Sequence, residues 1–323
     1  MSRAFARMRG LSNVLGLLIA LAAIFALFSA LRPDTFPQMK NVETIARQTA
    51  IVATATIGMT FIIVSGGIDL AVGSVVALAT VVMAVALRAG APPMVALLLG
   101  VATGVLSGCV TGAFVSKLRI QPFIVTLGIF LIARGLAKGV AAEQTVHVET
   151  TWIRSLLAVL SPDKKWMILP PGVWAMLALA VLMAAVLRHT TFGRHVVAVG
   201  SNESAARLCG VPVGRVKFLV YVLGGVFTGL AGVMMFSRIT VGDPTVAMGL
   251  ELEVIAAAVI GGASLSGGQG TILGSLLGAL IMRTISSGCS QCELPNWVQE
   301  IVTGAIIVGA VLLDRLRLSR RGA

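Results

Sequence analysis

The residue of this sequence that most needs a physical explanation is an acid, Asp69, in the stretch VSGGIDLAVGSVV at residues 64–76. It lies between two long apolar runs, and Gly66 and Gly67 come shortly before it. A carboxylate at the centre of a bilayer costs about 2.5 to 3.5 kcal/mol, so it must be paired, capped or hydrated. Because an acid after a helix-ending glycine pair can accept hydrogen bonds from the next helix's free amides, we interpret Asp69 as a cap at an interrupted helix. Contact with a solute or gate, and a role in a proton relay, remain as alternatives.

A second stretch, GGASLSGGQGTILGSLLGAL, opens with the pair Gly261 and Gly262 and is rich in small residues. Its glycines allow sharp turns, and hydroxyl and amide side chains are neutral groups that hydrogen-bond a polyol. The side chains concerned are Ser264, Ser266 and Gln269. Small residues at such spacings also let transmembrane helices pack closely, so a path for a polar solute and a packing role both remain open. The stretch lacks Gly-Lys-Ser/Thr and is not a P-loop.

A third stretch, VAVGSNESAARLCGVPVGRVK, differs because it predicts a short helix with its own caps. Ser201 can cap the start of this helix, Glu203 falls in its first turn, and Gly210 followed by Pro212 ends it. A separately capped amphipathic helix between two membrane crossings is a surface on which another protein can dock. A solvated connector is the alternative.

The remaining polar residues do not form a recognisable catalytic or metal site. The three histidines, His147, His189 and His195, fall in predicted loops without a matching nucleophile or acid. Cys289 and Cys292 have the CxxC spacing, but no second pair completes a zinc site, and an optional disulfide remains open. The net charge of +12 is spread over the ends of apolar segments, which indicates membrane topology rather than nucleic-acid binding.

Three acids, Asp243, Glu251 and Glu253, stand at the start of another hydrophobic helix. Acids near an entrance either contact a partner or keep a helix end hydrated. For Asp243 and Glu253 we favour hydration.

The composition indicates an all-α, polytopic membrane protein. Of the 323 residues 57% are hydrophobic and 12% charged, whereas soluble domains carry about 25% charged residues. The first apolar run is too long for the 7–15-residue core of a signal peptide and has no small-x-small cleavage site after it. Splitting the apolar runs at polar and Gly/Pro positions predicts ten transmembrane or partly spanning helices, several of them short. They cover residues 11–31, 48–65, 73–88, 94–116, 123–140, 172–187, 218–237, 252–263, 271–287 and 297–313.

Basic residues predict the orientation. They concentrate at both termini and within residues 188–217, so we expect both termini and that segment to be cytoplasmic. The predicted organisation is then a cytoplasmic segment 1–10, a transmembrane domain 11–313 and a basic tail 314–323. Residues 141–171, with Trp152 and Trp166, form the predicted outer loop. A faint repeat relates residues 64–74 to residues 259–269 through their Gly-Gly pairs.

Three motifs in this order resemble the permease subunits of bacterial ABC importers for monosaccharides of the ribose, xylose, arabinose and galactose type. They are GMTFIIVSGGIDLAVGSVVAL, AVGSNESAARLCGVPV and GLELEVIAAAVIGGASLSGGQGTILGSLLGALI, and the resemblance covers residues 48–314. It implies a type II-like permease in the bacterial inner membrane, paired with a second copy or a related permease chain. It further implies a cytoplasmic ABC ATPase that binds ATP and Mg, and a periplasmic sugar-binding protein. This chain would carry no cofactor and no catalytic activity of its own.

The resemblance also implies roles for particular residues. The 200–211 stretch is similar to the coupling helix that enters a cleft of the ATPase, and its predicted contact residues are Gly200, Asn202, Glu203, Ala206, Gly210 and Val211. The predicted path or gate comprises Gly66, Gly67, Asp69, Gly261, Gly262, Ser264, Ser266 and Gln269. Ala71 replaces the serine usual in this family after GGIDL, and the CxxC of Cys289 is a second departure from the pattern.

Two other transport functions compete with the sugar importer. An ion-coupled secondary transporter predicts membrane-embedded acids in groups, whereas Asp69 stands nearly alone in the sequence. A permease of the same importer class for branched-chain amino acids or another small polar solute is the second alternative, because the motifs specify the family better than the ligand.

Overall fold

The computed structural model describes residues 2–160 and 166–322, with side chains described for residues 14–160 and 166–312. Lys164 and Lys165, expected in the outer loop, lie outside the described residues. The described chain is mostly helical, as predicted, and contains twelve α-helices. They are α1 (Ser2–Leu31), α2 (Met39–Val64), α3 (Val72–Arg88), α4 (Pro93–Lys117), α5 (Pro122–Val140), α6 (Pro171–His189), α7 (Thr191–Ser201), α8 (Glu203–Leu208), α9 (Val213–Ile239), α10 (Leu250–Ile260), α11 (Ile272–Gln291) and α12 (Asn296–Gly322).

Each of the ten predicted apolar stretches falls on a helix, but fewer can cross a membrane alone. Within the described residues, seven helices are long and apolar enough, and they are α1, α2, α4, α5, α6, α9 and α11. The apolar helices α3 and Asn296–Leu312 are shorter. With 11 residues, α10 reaches only about 16 Å. The chain is therefore a multi-pass membrane protein, and several of its apolar helices are shorter than a full crossing needs.

Several predicted boundaries change because helices continue through polar residues. α2 begins at Met39 rather than near residue 48, since its charged first turns find partners in residues 157–160. The Nε atom of Arg47 donates to the Leu157 carbonyl at 2.5 Å, and the Leu160 amide donates to Glu43 at 3.1 Å. The predicted cytoplasmic segment 1–10 likewise continues into α1, and the tail 314–323 into α12.

Helix α2 is the centre of the fold. Its residues 49–64 are all buried, and it packs against α6, α9, α10 and α11. Beside it, α4 and α9 run antiparallel at very short separation because glycines face each other. Gly104 lies against the backbone of Gly225 and Gly229, and Gly108 against that of Tyr221. Small residues allow this close approach, on which helix association in a bilayer depends.

Two hydrogen bonds define the two ends of the bundle. α2 and α11 are antiparallel, because Ser287 donates to Asn41 at 2.9 Å near one end and Thr60 donates to Ser275 at 2.8 Å toward the other. The short helix α8 lies at the second end, hereafter the α8 end. Residues 146–160 lie at the opposite end, where a 3-10 helix (Trp152–Leu156) follows strand β1 (Val146–His147). β1 pairs antiparallel with strand β2 (Val241–Gly242).

Candidate functional site

The three sequence motifs meet at one point at the α8 end of the bundle. The Gly268 amide donates to the Val64 carbonyl at 2.8 Å, which joins the second motif to the end of α2. The backbone of Gly200, from the third motif, packs against the same carbonyl and the same amide and leaves no space for a side chain. Gly267 in turn lies against the Gly200 backbone. Glycine is therefore required by close approach, and we refer to these contacts as the glycine junction.

The end of α2 is built as the sequence predicted, with glycines that terminate the helix. Gly66 has a φ of +84°. Its amide donates to the Ile63 carbonyl and that of Gly67 to the Ile62 carbonyl, each at 2.9 Å. This pair of bonds is a Schellman motif, which satisfies carbonyls that a helix end otherwise leaves unpaired. Gly67 then passes directly beside the buried hydroxyl of Tyr221.

Asp69 is buried in the non-helical segment between α2 and α3, with 8% of its surface exposed. The predicted helix break is confirmed, but the predicted cap is wrong in detail. α3 begins at Val72, with Ala71 at the N-cap position, and Asp69 accepts from the Ala71 amide at 2.8 Å. This two-residue span is an Asx-turn, which stabilises the non-helical residues before α3 rather than the first turn of the helix.

The second motif begins with another Schellman ending. Gly262, with φ +91°, donates to the Val259 carbonyl, and Ala263 donates to the Ala258 carbonyl, both at 2.9 Å. The faint repeat with residues 64–74 is thus matched in local structure but displaced by one residue, because the left-handed glycine is the first of its pair at Gly66 and the second at Gly262. Gly261 instead packs against the α11 backbone at Gly274.

The polar side chains of this motif serve different positions. Ser264 is buried, and its amide donates to the Gln269 carbonyl at 3.0 Å, which closes a tight loop. Ser266 and Gln269 are exposed. Ser266 and Gln269 thus place polar side chains at the surface of this loop, whereas Ser264 lies inside it.

The third motif forms the expected separate helix, α8, with one correction. Its cap is Asn202, whose side chain accepts from the Ala205 amide at 2.9 Å. The predicted cap, Ser201, is instead the last residue of α7 and donates to the Val197 carbonyl at 2.8 Å. Gly210 ends α8 as predicted, with φ +81°.

Glu203 attaches α8 to the rest of the bundle. Its carboxylate accepts from Arg207, one turn later, at 2.9 Å and from Lys217 of α9 at 2.5 Å. The hydrogen bond from Lys217 is the main reason that the pKa of Glu203 lies below its ordinary value, and Arg207 adds to the effect. A cavity of about 360 Å³ opens beside this ion-pair cluster, and Arg119 also lines it.

The predicted contact residues of α8 differ in their exposure. Asn202 and Gly210 are exposed, Gly200, Glu203 and Val211 are partly buried, and Ala206 is buried. The most exposed apolar side chain is Leu208, at 90%, which the sequence analysis did not select. The exposure of Leu208 was predictable from the sequence, because a leucine at the end of a short polar helix has no hydrophobic core beside it.

Two charged pairings inside the bundle were not predicted from the sequence. Arg134 of α5 is buried, and its guanidinium interacts electrostatically with Glu251. Arg283 of α11 forms an ion pair with Glu253 of α10. Asp69 is therefore less isolated among the charges of the bundle than the sequence analysis predicted. The sequence did contain a sign of these residues, because an arginine or acid inside an apolar run is a functional candidate by default.

A polar groove of about 370 Å³ opens at the end of the bundle opposite α8. Neutral hydroxyl and amide side chains provide most of its lining, and they come from the residues just before α2, the start of α2 and the end of α11. They are Thr35, Gln38, Asn41, Thr44, Gln48, Ser287, Ser290 and Gln291, and Lys40 adds a cation.

The described residues contain no cluster of three or more metal-ligating side chains. Cys289 and Cys292 are free thiols, so the optional disulfide is not formed in this structure.

Comparison with known proteins identifies the family to which the chain belongs. Residues 41–311 match the family described as branched-chain amino acid transport system / permease component. The ribose import permease protein RbsC of Escherichia coli (strain K12) is 37% identical over 92% of both chains. The L-arabinose ABC transporter permease protein AraH of Azospirillum brasilense is 35% identical over 98% of this chain and 93% of its own.

A third relative, the ribose import permease protein RbsC of Bacillus subtilis (strain 168), is 36% identical over 95% of this chain and 94% of its own. No solved structure matches the chain. The resemblance to permease subunits seen in the sequence motifs is confirmed, and this chain belongs to the branched-chain amino acid transport system / permease component family.

Proposed function

We propose that this chain is the membrane-spanning permease subunit of an ATP-driven importer that moves a monosaccharide into a bacterial cytoplasm. The observation that carries the proposal is the identity of 35 to 37%, over more than nine tenths of the chain, to proteins named as ribose and arabinose permeases. ATP and Mg belong to a separate ATPase chain. A second permease copy or related chain completes the conduit, and a periplasmic sugar-binding protein delivers the solute.

The α8 surface is the proposed contact with the ATPase. Three features support this assignment: α8 has its own caps, Glu203 fixes it to α9, and Leu208 projects from it. The 200–211 residues named above act in two groups. Asn202, Glu203, Gly210 and Val211 form or support the contact surface, while Gly200 and Ala206 connect it to the bundle. Movement imposed on α8 then reaches α2 and residues 261–270 through the glycine junction.

Solute crosses by alternating access, in which the permease pair opens first to one side and then to the other. Gly66, Gly67, Asp69, Gly261, Gly262 and Ser264 shape the non-helical segments of the path, and Ser266 and Gln269 offer it polar groups. Such segments at membrane depth are tolerated where protein buries them or a polar cavity faces them. Weak binding inside the path suits this task, because tight binding slows release.

The orientation follows from the proposed partners. The α8 end faces the cytoplasm, where the ATPase resides, together with both chain termini. The polar groove and the outer segment 141–171 then face the periplasm of a bacterial inner-membrane protein, with ten helices that cross or partly cross the bilayer. The groove's neutral hydroxyl and amide groups suit a polyol.

A branched-chain amino acid is the second candidate solute, because the matching family carries that description. The two candidates differ in chemistry, because an amino acid brings a carboxylate, an ammonium group and an apolar side chain. The groove has Lys40 for a carboxylate, but its lining has no acid for an ammonium group and no apolar side chain.

Uptake of labelled solutes tests the proposal. Cells that produce the chain with its ATPase and binding protein are given labelled ribose, arabinose, xylose, galactose or leucine, with and without depletion of ATP. We expect ATP-dependent uptake of at least one monosaccharide and none of leucine. Uptake that survives ATP depletion but collapses with a protonophore contradicts the importer. ATP-dependent uptake of leucine alone selects the second candidate.

A further inference from the structure

The short helix α10 connects the glycine junction to two arginines deeper in the bundle, the buried Arg134 and the partly buried Arg283. Its C-terminal end leads into residues 261–270, where Gly267 and Gly268 contact Gly200 and Ser201. Its N-terminal end, about 16 Å away, begins after the non-helical residues 243–249. Any displacement of the α7–α8 segment therefore has a direct route to the start of α10.

Arg134 holds the non-helical segment before α10 against two other helices. Its Nη1 atom donates to the Pro244 carbonyl at 2.8 Å and to the Val246 carbonyl at 2.9 Å. Its Nε atom donates to Ser74 Oγ of α3 at 3.2 Å. Only 8% of the arginine is exposed. One side chain thus joins α5, α3 and a stretch of backbone whose carbonyls have no helical partners.

Glu251 and Glu253, in the first turn of α10, engage the two sides of the bundle separately. Residues two apart on a helix are about 200° apart around its axis, so the two carboxylates point in nearly opposite directions. Glu251 lies against Gly73 of α3 and within electrostatic reach of Arg134. Glu253 forms its ion pair with Arg283 of α11.

The unpaired atoms in this cluster indicate that the contacts are incomplete in the present arrangement. Within the described part of the chain, Arg134 Nη2 and Glu251 Oε2 are buried and have no hydrogen-bond partner. A buried donor and a buried acceptor that both lack partners destabilise the arrangement that contains them. Such a cluster can favour a second position of α10 in which these atoms are satisfied.

We infer that α10 is the lever that carries movement from the α8 surface into the membrane, and that Arg134 and Arg283 are the positioning residues that hold its inner end. This inference rests on the proposed function. The inference adds to the proposed function the identity of the moving helix and of the two side chains that define its resting position. Neither arginine needs to touch the solute.

Hydrogen–deuterium exchange of the assembled importer in nanodiscs tests the lever. The backbone amides of residues 243–253 are compared without nucleotide and with a non-hydrolysable ATP analogue. We expect the analogue to speed exchange in this segment. Replacing Arg134 by Gln should increase exchange by more than about tenfold without nucleotide, because two hydrogen bonds from a charged group to this segment are lost. Lys138→Gln, one turn further along α5 and exposed, should leave exchange unchanged.

The number of ATP molecules hydrolysed per solute transported separates positioning from simple folding support. Arg134→Gln and Arg283→Gln should raise this ratio at least several-fold, and Arg134→Lys should restore part of the coupling because it keeps the charge. A lower thermal stability with an unchanged ratio overturns the inference. So does an analogue that binds and alters exchange at residues 200–211 while residues 243–253 do not respond. If the analogue changes neither segment, the ATPase does not act through this chain, and the proposed function itself fails.

Discussion

Glu203 offers the sharpest test of how α8 is held on the bundle, and the substitution to examine is Glu203→Gln. The carboxylate has two cationic partners, Arg207 at 2.9 Å and Lys217 at 2.5 Å. The Arg207 pair is an exposed i,i+4 contact worth about 0.3 to 0.5 kcal/mol. The Lys217 pair is better shielded, with 24% of the lysine side chain exposed, and is worth about 1 kcal/mol after allowance for solvent screening.

Together the two pairs contribute about 1 to 1.5 kcal/mol to the docking of α8, which is roughly a tenfold change in the docked population. We expect Glu203→Gln to lower binding-protein-stimulated ATP hydrolysis by several-fold while the bundle stays folded. Glu203→Lys should lower it further, because three cations then lie together. The assay compares hydrolysis and solute uptake by the reconstituted importer, and thermal unfolding reports folding.

A double-mutant cycle with Lys217→Met isolates the contribution of that pair. The double variant should lose less stability of the α8–α9 contact than the sum of the losses of the two single variants, and the difference should be about 1 kcal/mol. Additive effects, or a Glu203→Lys chain that transports like the wild type, refute the assignment of Glu203 as the residue that attaches α8.

The remaining predictions concern pH and the glycines. Folding lowers the pKa of Glu203, so the contribution of this carboxylate to stability is fully present above its ordinary pKa of 4.5. The contribution is lost as pH falls through the lowered pKa. The stability of the Glu203→Gln variant, measured by thermal unfolding, should therefore lack this dependence on acid. Gly200→Ala should lower the free energy of unfolding by about 1 to 3 kcal/mol and uncouple hydrolysis from uptake, because the added methyl group meets the backbone at the glycine junction. The control is Gly135→Ala, which should change neither property because no atom lies within 4 Å of the added methyl group. Gly67→Ala should lower the melting temperature through its contact with the Tyr221 hydroxyl, and Tyr221→Phe should relieve part of the loss; an equal loss in both backgrounds contradicts the proposed contact.

The sequence predicted the features that depend on local chemistry. Apolar length identified the helices, and the glycine pairs identified where α2 and α10 end, because a left-handed residue after a helix strongly favours glycine. The separate helix α8 followed from its capping residues in the same way. The cap itself was misplaced by one residue, since Ser201 and Asn202 are both good capping residues and only the backbone conformation distinguishes them.

The features that sequence could not supply depend on contacts between distant segments. Nothing local indicates that Gly200 lies on the carbonyl of Val64, although both belonged to motifs that had been selected. Arg134 was passed over because its partners are backbone carbonyls more than a hundred residues away, which leave no signature of residue type. Glu253 was interpreted as hydrated because its partner, Arg283, is on another helix.

The most direct test of the central claim is solute uptake into proteoliposomes that contain the permease alone or together with its ATPase and binding protein. If this chain is a conduit moved from its α8 surface, labelled monosaccharide accumulates only when ATPase, ATP and binding protein are all present. Accumulation by the permease alone, driven by an imposed ion gradient, contradicts the account.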